Sequence, residues 1–230
     1  DDNFCYPIPD VLETTKLRLV PFVPSIHAPL ILQSTTTATW HYLPFGPFPT
    51  AEALVEDFYE ARIHRNRGDT LFVGEQGTPA GICGYVYTNP SDLYTELFVL
   101  AFPRYHHTHV ASHMIGLLMR YALDLPSPPS GLGLRRIQWS ANVHNHGSIG
   151  LARKMGFRVE GVRRWARVLD VSKGEGEGGN GEGGAGNGEG GAGNGIKRRK
   201  GDPREECPGR DTVGLAICWD EWEEGGRERV

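Results

Sequence analysis

Residues 94–141 read as a strand, a turn, an amphipathic helix and a second strand, an order that few folds accommodate. "YTELFVLAF" (94–102) is rich in aromatic and branched residues and runs into Pro103. From Val110 to Leu123 the apolar residues Val110, Met114, Leu117, Leu118 and Tyr121 recur at helical spacing. After a Pro-rich loop (124–133), "RRIQWSA" (135–141) predicts the next strand. Two such strands, joined through one helix, pair in parallel with a right-handed crossover.

The flanking segments fill out a sheet around this unit. "KLRLVPF" (16–22) alternates as a strand does, and a helix is expected from Ile26 to Ser34, with Pro29 in its first turn. "WHYLPFGPF" (40–48) is a loop of aromatics and prolines, after which Thr50 caps a helix with Leu54, Phe58 and Ile63 on one face. Strands at 70–75 and 80–88 flank a Gln76-Gly77 turn. A short helix from Ser148 to Met155 stops at Gly156, and strands follow at 157–170 and 211–219. This order predicts an α+β (mixed α/β) fold, with antiparallel strands early, one parallel pair, and flanking helices.

Between the last two strands "GEGGAGN" occurs at 181–187 and again at 188–194. Such a tract buries too little apolar surface to offset the entropy of ordering it, so 172–209 is expected to be a disordered insertion. The domain then runs from 11 to 223, with flexible ends at 1–10 and 224–230. "KRRK" (197–200) reads as a solvated charge run, with nuclear import as the alternative.

A net charge of −4 argues against a broad basic face for nucleic acid. No apolar run approaches membrane-spanning length, and no secretory pattern opens the chain. Cys5, Cys83, Cys207 and Cys218 are scattered, as in a reduced compartment. An intracellular, cytoplasmic protein is expected, or a nuclear one if KRRK serves as a signal.

"HHTHVASH" (106–113) holds four of the nine histidines. His109 and His113 have the i, i+4 spacing of metal ligands, and "HNH" (144–146) offers further nitrogens. No glutamate follows His109 as in HExxH, and the cluster holds no Cys or Asp, so no metal is expected. The alternative is an anion cradle. The unpaired amides that open the helix at Val110, Ala111 and Ser112 point outward, and the helix dipole favours negative charge there.

"TKLRLVPF", "YLPFGPF", "HHTHVASHMIGLLMRYAL", "RRIQWSANVHNHGSIGLARKMGF", "EGVRRWARV" and "RDTVGLAICWDEW" together resemble the GNAT N-acetyltransferase superfamily, nearest its ribosomal-protein N-terminal acetyltransferase branch. The resemblance covers about 11–170 and 210–222 in the family's order. It implies a GNAT-like central mixed sheet and acetyl-CoA as cosubstrate. The acceptor would be an amine, either a peptide N-terminus or a small molecule. His106, His107, Thr108, His109, Val110, Ala111 and Ser112 would form the pyrophosphate turn, with His106 at the family's Gln/Arg position and His109 at its first Gly. His109 suits that place only if its backbone is unstrained or its side chain helps to hold a left-handed turn.

The same resemblance implies that Phe98, Val99 and Leu100 pair through their backbone with the pantetheine arm, that Asn145 contacts this arm, and that Ser148 assists the thiolate. Asn145 and Ser148 would equally serve as helix caps. The tyrosine acid of many members is replaced by Ala152. The family's usual Glu falls on Thr95, one residue from Glu96, so Glu96 is either the base or a solvated surface group. Trp40, Tyr42, Leu43 and Phe45 either wall the amine pocket or cover the sheet. These departures leave two other functions open: a catalytically weak acyl-CoA-binding protein, or an interaction module.

Overall fold

Alternation along the strands divides the core into two layers. Leu71, Val73 and Ile82 face one side of the sheet with Ile31, Leu54 and Phe58. Phe72, Cys83, Tyr85 and Leu97 face the other side with Met114, Leu118 and Ile137. The computed structural model describes residues 3–127, 131–173 and 191–230.

Among these residues, eight strands form one sheet: β1 (Leu12–Glu13), β2 (Arg18–Pro21), β3 (Thr70–Glu75), β4 (Pro79–Asn89), β5 (Tyr94–Ala101), β6 (Arg136–Asn142), β7 (Arg158–Val168) and β8 (Gly209–Cys218). Their order is β1-β2-β3-β4-β5-β6-β8-β7. Every neighbouring pair is antiparallel except β5 and β6. The predicted mixed sheet with one parallel pair is therefore what forms.

Helix α1 (Pro24–Ser34) and helix α2 cover the first face. Thr50 caps α2 as expected, its hydroxyl accepting the Ala53 N–H at 3.1 Å. After Ala51–Leu54, α2 widens into a π-helix over Val55–His64, which no residue pattern signalled. Helix α3 (Val110–Leu123) crosses the other face and buries Val110, Met114, Leu117 and Leu118, the stripe read from its spacing. Helix α4 (His146–Lys154) is followed by Gly156, whose φ of +98° is the left-handed geometry that stops a helix.

Phe4, Tyr6 and Ile8 pack against the core, and Tyr121 donates to the Pro7 carbonyl at 2.5 Å. At the other end, Arg120 Nη2 donates to the Val230 carbonyl at 2.7 Å. Of the insertion expected at 172–209, residues 174–190, with the first GEGGAGN copy and the first three residues of the second, lie outside the described residues. Its flanks are held by hydrogen bonds: the Ala192 N–H to the Lys173 carbonyl, Asn142 Nδ2 to the Ala192 carbonyl, and the Asn194 N–H to the Gly209 carbonyl. Lys197 to Lys200 are exposed. All four cysteines are free, and no helix among the described residues is long and apolar enough to cross a membrane.

Candidate active site

β5 and β6 pair only over Tyr94–Glu96 with Arg136–Gln138 and then part. β5 keeps its pairing with β4 as far as Ala101, and β6 keeps its pairing with β8 as far as Asn142. From Leu97 to Leu100, one edge of β5 therefore faces a cleft of about 660 Å³ instead of a strand. Phe98, Val99 and Leu100 line it, as do Asn145 and Ser148 at the start of α4.

The two α4 residues have different tasks. Asn145 Oδ1 accepts the Ser148 N–H at 3.0 Å, so Asn145 is the cap. Ser148 does not cap. Its Oγ accepts the Trp139 indole N–H at 3.0 Å, which leaves the hydroxyl proton free to point into the cleft.

Glu96 is not a solvated surface group. It lies half-buried on the face of β5 that carries Phe98 and Leu100, and Ser140 Oγ donates to its Oε2 at 3.0 Å. Arg163 Nη2 donates in turn to Ser140 Oγ at 2.6 Å. Burial pushes the Glu96 carboxyl above its ordinary range, against the opposing pull of Ser140, Arg163, Arg167 and Arg210. Thr95 points the other way and pairs with Thr88 Oγ1 at 2.7 Å.

Asp69 is a second carboxylate in the cleft. Burial raises it to about 6, the Tyr87 N–H bonded to its Oδ1 at 2.7 Å opposes this, and Glu96 adds to it. Tyr87 sits at a bulge in β4 with φ of 56°, which turns its amide onto Asp69. Sequence reading missed Asp69, Ser140, Arg163, Arg167 and Arg210. The only local hint was Arg163 and Arg167 in "RRWAR", on a strand whose partner, β8, is distant in the chain.

Tyr42, Leu43 and Phe45 line the cleft, but Trp40 does not. It is 1% exposed beneath the loop, with its ring 5.1 Å from Phe48 and 6.2 Å from Phe45. Gly46, at φ of +64°, folds the chain so tightly over the indole that a Cβ there would lie 2.8 Å from it. Trp40 thus supports the wall from below. Lys173 completes the loop by donating to the carbonyls of Trp40, Leu43 and Phe45 at 3.0, 2.5 and 2.7 Å.

The histidine turn lies beyond the far end of β5. His107, not His109, takes the left-handed conformation (φ 60°), and His109 is unstrained at φ −71°. His106 Nε2 meets the Ala101 carbonyl at 3.1 Å, His109 Nε2 meets Gln76 Nε2 at 3.3 Å, and His113 Nδ1 meets Thr14 Oγ1 at 2.9 Å. Thr108 Oγ1 takes the Val110 N–H at 3.3 Å, while the amides of His109, Ala111 and Ser112 have no acceptor among the described residues. His109 and His113 pack edge to face, with centroids 5.1 Å apart, rather than converging on a point. Among the described residues the group with metal-ligand spacing is Cys218, Asp220 and Glu221, away from the cleft.

The sequence profile of the acetyltransferase (GNAT) domain matches residues 16–158, more than half of the chain. No curated protein matches in sequence. Among solved structures, an acetyltransferase fold from T. thermophilus superposes with a TM-score of 0.73 at 21% identity, covering 97% of this chain and 96% of that one. Spermidine N-acetyltransferase from Vibrio cholerae, in complex with CoA and spermine, gives 0.62 at 15% identity, with 91% and 99% covered. The ribosomal L7/L12 α-N-protein acetyltransferase RimL gives 0.63 at 16% identity, with 93% and 98% covered.

Proposed function

Because the chain belongs to the GNAT acetyltransferase family, we propose that it moves the acetyl group of acetyl-CoA onto a primary amine by direct attack on the thioester. The observation that carries this is the unpaired edge of β5 at Leu97 to Leu100, facing Ser148 across one cleft. In this reading the backbone of Phe98, Val99 and Leu100 receives the pantetheine arm as it would an added strand, and one N–H of that edge stabilises the oxyanion. The amides of His109, Ala111 and Ser112 hold the pyrophosphate together with the helix dipole.

Glu96 takes the proton that the acceptor ammonium must lose before it attacks, with Asp69 as its neighbour in the cleft. A carboxyl raised by burial is a stronger base than a free one, which suits an α-amine near 8 better than a lysine near 10.4. As the C–N bond forms and the C–S bond breaks, the Ser148 hydroxyl donates a hydrogen bond to the departing thiolate, which takes its proton from solvent. Tyr42, Leu43 and Phe45 border the incoming amine.

Acetyl-CoA should raise the melting temperature in a saturable way. Release of CoA thiol across a panel of peptides and small amines then reports turnover. No thermal shift at millimolar acetyl-CoA would sink the reading. A shift without thiol release from any amine would leave only the acyl-CoA-binding alternative.

A further inference from the structure

Three guanidiniums meet two carboxylates on the acceptor side of the cleft. Arg163 and Arg167 on β7 stand opposite Thr212 and Arg210 on β8, and all four line the cleft with Asp69 and Glu96. Arg163 gives one N–H to Ser140, and Arg167 donates to the Tyr87 hydroxyl at 3.0 Å. Arg210 differs from both. It is 6% exposed, its Nε is buried without a hydrogen-bond partner, and it forms no ion pair with any described residue. Two positions along the same face, Thr212 is 3% exposed and its Oγ1 is also buried without a partner.

Folded interiors rarely leave such donors unsatisfied, and a buried unpaired cation is especially costly. Burial pulls Arg210 down to about 10, so it stays protonated at neutral pH. Glu96 attracts it without forming an ion pair, and the hydrogen bond that Glu96 accepts comes from Ser140. Guanidinium and hydroxyl side by side form a fork that fits one carboxylate.

We propose that the acceptor carries a carboxylate close to its primary amine, and that Arg210 and Thr212, with Arg163 beside them, bind that carboxylate while the amine faces Glu96. The fate of the amine rests on the acetyl-transfer reading, but the binding of the anion does not. Two sources share this chemistry: the α-carboxylate of a free amino acid, and the side chain of a peptide that begins with Asp or Glu. A polyamine fits poorly, because three guanidiniums repel its second ammonium.

The test compares matched pairs: peptides opening with Asp or Glu against Asn or Gln, and free amino acids against their α-amides. Spermidine serves as the cationic control. Rates are compared at equal concentrations of neutral amine, and Kd values are measured by calorimetry with CoA present. We expect kcat/KM at least tenfold higher for the acid member of one pair, and the pair that shows it identifies the source. In Arg210→Met the ratio should fall towards one. Arg163→Met, at an exposed side chain, reads the same effect should Arg210→Met fail to fold. If no amine is turned over yet acids bind more tightly than their amides, the transfer reading falls and the anion site stands. Equal kcat/KM and Kd within both pairs, or a preference that survives both variants, would overturn the proposal.

Discussion

The Trp139 indole N–H donates to Ser148 Oγ at 3.0 Å, tying the middle of β6 to the first turn of α4. Indole nitrogen only donates, so the Ser148 oxygen acts as acceptor in that bond and its own proton is directed elsewhere. Ser148→Ala should therefore lower kcat by ~10²-fold, the scale of one lost hydrogen bond to a developing anion, while leaving the Kd for acetyl-CoA within a factor of two or three. Trp139→Phe should lower kcat less, by loosening the hydroxyl rather than removing it. Unchanged kcat in Ser148→Ala would reduce Ser148 to packing.

Glu96 separates the chemical role from the structural one cleanly, because Gln keeps an oxygen for Ser140. Glu96→Gln should fold normally and lose on the order of 10²-fold in kcat/KM at pH 7. The loss should shrink towards pH 9 for an α-amine acceptor, as the amine sheds its own proton to solvent. A constant ratio across that range would show that Glu96 is not the base. The same substitution should lower the Asp69 pKa, since the Glu96 charge helps to raise it.

Much of the fold was legible because its signals are local. The stripe Val110, Met114, Leu117 and Leu118 gave α3, and the segments flanking the Gln76-Gly77 turn gave β3 and β4. The cleft was legible only through the family's motifs, because it arises where β5 and β6 stop pairing, which no short segment encodes. Arg210 and Asp69 were missed for a related reason. What makes them notable is burial beside groups on other strands: Tyr87 and Glu96 for Asp69, and Glu96 and Arg167 for Arg210. Of the two alternatives open for His109, the unstrained backbone is the one that forms, and the left-handed residue is His107, which nothing in "HHTH" singles out. Trp40 stayed open between wall and cover because an aromatic in a loop gives no clue to which side of the loop it takes; it takes the buried one.

Asp69 makes stability depend on pH in a predictable direction. Its folded value of about 6 lies above the ordinary 3.8, because burial disfavours the charged form. The stability it contributes is therefore full below 3.8 and is lost as pH rises through 6. Asparagine keeps an oxygen for the Tyr87 N–H and never charges. Chemical denaturation should find Asp69→Asn gaining on wild type between pH 5 and 7.5 by on the order of 1 kcal/mol. Parallel stability curves would mean that Asp69 is not desolvated in solution.

Lys173 ties the edge of the Gly-rich insertion to the aromatic loop. Its side chain is buried, at 5% exposure for the residue, and its ammonium reaches the carbonyls of Trp40, Leu43 and Phe45. Three donors meet three acceptors, so methionine in its place leaves three carbonyls to find water or stay unpaired. Lys173→Met should destabilise the protein by roughly 2–4 kcal/mol at pH 7. It should also speed amide hydrogen exchange across residues 40–46. Because Tyr42, Leu43 and Phe45 border the cleft, the KM for the amine should rise several-fold while the Kd for acetyl-CoA holds. Burial lowers the Lys173 pKa to about 8, from an ordinary 10.5. A cation held below its unfolded value costs stability fully below pH 8, and that cost fades as pH climbs towards 10.5. Wild type should thus gain on Lys173→Met between pH 7 and 9.5 by on the order of 2 kcal/mol, since the neutral amine still donates two hydrogen bonds. If the variant matches wild type in stability and in amine KM, Lys173 does not hold the loop, and the packing of Trp40 against Phe48 alone sets its shape.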